Sequence, residues 1–189
     1  MTSTLARIEG FVVQQRIALT VNRYAVHALA GDGSLGPLLA VAQQKRLAFK
    51  EQVTFYTDDT RTVPVFSFKA RQAIDLAATY DVTDGQGTPL GMFRKDFGKS
   101  LLRSTWHLEA AGVTSVGQER NQGVALLRRF VDVPVAYHFD FVDPAGHPVL
   151  SVERQFSLRD RYTVTVPGAR LDGRVAAAMT VALDALQAR

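Results

Sequence analysis

Between residues 94 and 103 the chain places Arg94, Lys95, Lys99 and Arg103 against one acid, Asp96, a local excess of three positive charges. Arg154 lies at the related place downstream, with Arg159 and Arg161 beyond it and Glu153 and Asp160 in between. Cations on adjacent strands suit an anionic head group: a guanidinium offers paired N–H donors to phosphate, and an ammonium offers a point charge. The plainer alternative is the solvated outer face of a β protein. Nucleic acid fits less well, because exposed aromatics interleaved with these charges are not evident and the Phe residues alternate as core.

Other chemistry finds less support. His27, His107, His138 and His147 lie far apart, and no pair has the spacing of a metal-binding motif. Asp58 with Asp59, and Asp81 with Asp84, lack the spacing of a calcium loop. The stretch Gly31–Gly36 (GDGSLG) matches a dinucleotide fingerprint formally, yet nothing downstream alternates strand with helix as that fold requires. No nucleophile elbow, kinase set or phosphate loop is present. Cysteine is absent, which removes disulfides, thiolate metal sites, thiol nucleophiles and palmitoylation together. These readings predict no catalytic residue, no metal and no cofactor.

The whole chain has 189 residues, 47% hydrophobic and 21% charged, which is the composition of one ordinary globular domain. Its 22 basic and 18 acidic residues give a net charge of +4, a balance that permits anionic partners without demanding them. No apolar targeting run opens the sequence, since Gln, Arg and Asn interrupt residues 11–26. A cytoplasmic protein is expected, with any membrane contact peripheral and reversible.

The elements that must position these residues announce themselves through a repeat. Asp, four residues, Pro, then Leu or Val recurs at Asp32–Leu38, Asp59–Val65, Asp84–Leu90 and Asp143–Val149. The last two copies extend further: Asp81, Asp84, Gly87, Pro89 and Phe97 match Asp140, Asp143, Gly146, Pro148 and Phe156. Such a unit is a hairpin turn, in which Asp bonds its own backbone, Gly supplies positive φ and Pro opens a strand. Alternating flanks predict strands at 17–29, 38–44, 63–69, 77–82, 102–108, 113–118, 136–142, 149–158 and 162–166. Residues 45–56 mix helical and strand signals, and 123–131 read as a short helix.

Asp172–Gln187 is the exception to this all-β pattern. Asp172 suits an N-cap, and from Val175 to Leu186 only Thr180 and Asp184 are not apolar. A helix apolar all round is buried in protein or crosses a membrane. Sixteen residues span about 24 Å, short of the roughly 20 apolar residues a bilayer needs. The pattern therefore predicts a central helix over about 172–187, its alanines letting β-structure approach closely. Asp184 is the odd acid in it, expected at a barrel mouth or paired with an arginine such as Arg129.

Three stretches carry a family resemblance: Tyr80–Arg103 with Trp106, Phe156–Tyr162, and Leu171–Leu186. Together they resemble the LURP-one-related family of the tubby C-terminal-like and phospholipid scramblase superfamily, from about Tyr24 to Leu186. The resemblance implies a single domain over 1–189: a mainly β, closed antiparallel barrel of about a dozen strands around a buried hydrophobic C-terminal α-helix. Tubby-type members bind phosphoinositide head groups through basic residues on the barrel's outside, and scramblases are linked to membranes and calcium. This chain lacks the lipidated cysteine cluster and the Pro-rich arm of the scramblases. The expectation is a non-enzymatic module binding anionic lipid head groups or another phosphorylated ligand, through Arg94, Lys95, Lys99, Arg103 and Arg154, or a scaffold for a protein partner. The alternative is a carrier of a small apolar ligand inside a barrel or helix-grip cavity.

Overall fold

The computed structural model describes residues 4–17, 21–45, 52–71, 79–96, 105–120, 138–155 and 161–187. After a short 3-10 turn (Thr4–Arg7) come twelve strands. The first six are β1 (Gly10–Ile17), β2 (Val21–Leu29), β3 (Leu35–Lys45), β4 (Gln52–Tyr56), β5 (Pro64–Ala70) and β6 (Thr79–Asp84). The others are β7 (Pro89–Asp96), β8 (Thr105–Ala110), β9 (Val113–Glu119), β10 (His138–Val142), β11 (Pro148–Gln155) and β12 (Arg161–Thr165). A second 3-10 turn (Pro167–Ala169) leads into helix α1 (Gly173–Gln187). Each strand pairs antiparallel with its sequence neighbours, and β1 closes on β12 in the register Gly10–Thr165 to Gln14–Arg161.

Side-chain alternation decides what faces inward. Tyr24 and Val26, Val53 and Phe55, Phe66 and Phe68, Trp106 and Leu108, Phe139 and Phe141, and Tyr162 and Val164 are all buried every second residue. The rings interlock along the wall: Phe55 stacks on Phe66 at 4.3 Å, Tyr80 on Phe93 at 5.2 Å, and Phe93 meets Trp106 at 6.2 Å. Helix α1 runs inside this lining, and Val175–Leu183 expose no surface. Its fifteen residues reach about 22 Å, matching strands of similar height. The helix occupies the space that a carrier of an apolar ligand would need to leave open.

The described turns 30–34, 57–63, 85–88, 111–112 and 143–147 gather at the end of the barrel where α1 begins. The third and fourth repeat copies have one geometry. Asp84 Oδ1 accepts from the Gln86 and Thr88 N–H at 2.9 and 2.8 Å, and Asp143 Oδ1 from the Ala145 and His147 N–H at 3.0 and 2.9 Å. Gly87 and Gly146 sit at φ 88° and 85°, where L side chains are strained. The match continues into the sheet: Arg71 grips Asp81 and Arg120 grips Asp140, each arginine's N–H bonding the carbonyl two residues before that acid. Phe97 and Phe156 lie outside the described residues.

Several expectations need correction. In the second copy Asp58, not Asp59, accepts from the Thr60 N–H at 2.8 Å, while Asp59 pairs with Arg23 at 2.9 Å. The ambiguous stretch 45–56 includes β4, because Val53 and Phe55 pair with Phe68 and Phe66 of β5; tertiary pairing overrides the helical preference of its Lys and Glu. The single strand expected over 17–29 is the end of β1 and all of β2. Period two was hard to read in β1 because outward-facing Val12 is fully buried too. The β2–β3 turn approaches that outer wall, where Arg161 Nη2 donates to the Gly33 carbonyl at 3.1 Å. The helix expected over 123–131 lies outside the described residues.

Asp143 offers a test of the turns. A hydrogen bond from Arg170 at 2.9 Å, supported by the His147 N–H, holds its carboxyl down at about 2. A carboxylate depressed in the folded state stabilises above its ordinary value of about 4, and that contribution fades as pH falls toward about 2. The urea midpoint should therefore drop over this window. In Asp143→Asn the drop should be shallower, and an unchanged profile would show that the turn contributes nothing.

Candidate functional site

Three of the five cations singled out by sequence lie among the described residues, and they divide between two faces. Alternation along β7 sends Arg94 outward, exposed and opposite His107, while Phe93 and Lys95 face inward. Lys95 sits opposite Trp106, its ammonium 5.7 Å above the buried indole ring, a cation–π contact. Arg154 shares the inward side of β11 with Val152 and lies opposite Tyr162. Lys99 and Arg103 lie outside the described residues. Arg94 thus belongs to the outer wall, whereas Lys95 and Arg154 belong to the inner side of one barrel mouth.

That mouth, at the end where α1 terminates, is polar inside. Gln15 on β1, Tyr24 on β2, Glu119 on β9 and Tyr162 on β12 all follow the inward period of their strands and are buried. Asp184, 5% exposed, enters this mouth from the helix. The Tyr24 hydroxyl donates to Asp184 Oδ2 at 3.1 Å, Tyr162 donates to Oδ1, and Gln15 Nε2 donates to the Tyr24 oxygen at 3.2 Å. Two partners of this acid are therefore tyrosines; Arg129 lies outside the described residues.

Burial, then the Asp184 charge and hydrogen bond, push the Tyr24 hydroxyl well above the ordinary tyrosine value. The Tyr24 phenol thus stays protonated, and it and the Tyr162 hydroxyl act as donors that hold Asp184 in place. Such a cluster fixes the end of α1 against three strands. It is an anchor whose donors are already engaged, beside Lys95 and Arg154 at the same mouth. Sequence reasoning found Asp184 but missed Tyr24, Tyr162 and Gln15. The available signal was their place in the period-two pattern, where a polar group among core positions demands a partner.

On the outer wall, His107 lies 3.5 Å from Asp96, and His147 lies 3.3 Å from Asp143. Among the described residues no three His, Cys, Asp or Glu side chains converge as a metal site would require. Nor is any described helix long and apolar enough to cross a membrane. No curated protein matches the chain. The LURP-one-related family model matches residues 39–184, more than three quarters of the sequence and the barrel from within β3 through β12 with most of the helix, and the chain belongs to that family.

Proposed function

We propose that this protein is a non-enzymatic binding module that holds a phosphorylated or otherwise anionic group reversibly at the barrel mouth where α1 ends. Family and fold fit a binding module in general. With the barrel axis filled by α1, a ligand has to be met at a mouth or on the outer wall. The observation that carries the anionic reading is that Lys95 on β7 and Arg154 on β11 face the inner side of that mouth, with Arg94 exposed on the adjoining outer wall. Lys99 and Arg103, four and eight residues after Lys95, are taken as further contacts. A head group in a membrane surface and a free phosphorylated molecule present the same chemistry to these cations.

Vesicle co-sedimentation separates the two sources. Neutral vesicles are compared with vesicles containing phosphatidylserine or a phosphorylated inositol lipid, at low and high salt, with soluble inositol phosphate as competitor. Salt-sensitive binding to anionic vesicles alone is expected if the source is a lipid surface. Binding of inositol phosphate without vesicle binding marks a soluble ligand. Each surface cation contributes about 1 kcal/mol near an anionic membrane, so Arg94→Ala, Lys99→Ala and Arg103→Ala combined should weaken binding about 100-fold. No binding of either probe at either salt overturns the proposal and leaves a protein-interaction scaffold.

A further inference from the structure

A groove of about 440 Å³ runs along the outer wall between β6 and β9. Direct cross-strand pairing sets Asp81, Met92, Glu109 and Thr114 in one row across it. Pro89 and Met92 are the apolar side chains on its outer face, while Ala110 and Val113 border it with side chains that belong to the inward set of their strands. Gly91 keeps β7 and β8 close there, since a Cβ on it would lie 2.6 Å from the Glu109 carbonyl oxygen. Two carboxylates thus flank a thioether, one strand away on either side, about 10 Å apart.

They are not equivalent. Arg71 grips Asp81 with Nε and Nη2 at 2.7 to 3.0 Å and lays Nη2 3.2 Å from the Met92 sulfur. Glu109 is exposed and, among the described residues, has no hydrogen bond or close ion pair. Two acids and one guanidinium leave the groove at a net −1, on a chain whose total is +4. The arrangement already displays the ligand chemistry it favours: Arg71 lies along Met92 with its hydrogen bonds on Asp81, while its charge also reaches Glu109, whose carboxylate accepts no hydrogen bond among the described residues.

We propose that this groove docks a basic side chain, lysine or arginine, presented by a segment of a partner protein. The alkyl stem lies on Met92, and the charged head meets Glu109. Long basic side chains bury their stems along apolar surface while keeping the head wet, which suits an open groove of this kind. The site is on the wall rather than at the mouth, and it calls for the opposite charge from the anionic ligand proposed there.

The test uses the intact protein, 15N-labelled, titrated with n-hexylammonium and, separately, with hexanoate. Hexylammonium should shift the amides of residues 90–92 and 109–114 in a saturable, salt-sensitive way, with hexanoate leaving them unmoved. Glu109→Gln, an exposed change that leaves the fold intact, should weaken the ammonium by up to about fivefold, the most an exposed ion pair contributes. Stronger shifts from hexanoate would overturn the proposal in favour of an acidic occupant on Arg71. Shifts of these amides with protein concentration alone would overturn it in favour of a second copy. Ammonium shifts that Glu109→Gln does not weaken would also sink it.

Discussion

Replacing Ala178 with arginine should leave no cooperatively folded barrel. Ala178 is fully buried in the middle of α1, among Ala176, Ala177 and Ala182, and the strands approach the helix across these small residues. A guanidinium there finds neither water nor, in an apolar lining, a carboxylate, and its longer side chain has no space. An unpaired buried charge and an overpacked core each rank among the few mechanisms that exceed about 4 kcal/mol. A domain of this size has roughly 5–15 kcal/mol in total, so the variant should be found aggregated or without a melting transition. Ala178→Gly, which adds no bulk but loses helix propensity and one buried methyl, should cost about 2 kcal/mol and melt cooperatively. An arginine variant melting within a degree or two of the parent would mean that α1 is not enclosed.

The central helix was legible because burial on every side leaves no polar stripe, a pattern that few other settings tolerate. The hairpins were legible for a related reason: Asp84 and Asp143 must bond their own turns, so spacing is fixed by backbone geometry. Strand β4 was not, because Gln52 and its neighbours carry local helical preference, and only the distant β5 decides the matter. The basic cluster shows a different limit. Arg94 and Lys95 are adjacent in sequence, and adjacency on a strand means opposite faces, so a run of charge in one segment divides between wall and interior. Asp184 could be recognised as an anomaly, yet its partners could not be named: Tyr24 and Tyr162 lie 160 and 22 residues away and meet it only when the barrel closes.

That closure makes Asp184 the second position where a large effect is expected. Asp184→Ala leaves the buried hydroxyls of Tyr24 and Tyr162 without their acceptor and opens a small void beside them. Stranding buried donors costs about 1–3 kcal/mol each, so a total loss near 4 kcal/mol is expected from urea unfolding. Tyr24→Phe with Tyr162→Phe strips two donors from a buried carboxylate and should cost about 3–5 kcal/mol. Adding Asp184→Leu to that pair, which removes the carboxylate as well, should recover much of the loss, because an apolar replacement of a whole polar cluster is often neutral. Alkaline pH gives an independent reading of the same contact. The folded Tyr24 phenol keeps its proton above the ordinary value, whereas the unfolded chain releases it near pH 10. Stability should therefore be intact below pH 10 and fall above it by about 1.4 kcal/mol per pH unit for this group. Tyr24→Phe should flatten that alkaline limb while lowering stability at neutral pH. If Asp184→Ala unfolds at the parent's midpoint and the alkaline limb persists without Tyr24, the tyrosine–aspartate cluster does not hold the end of the helix.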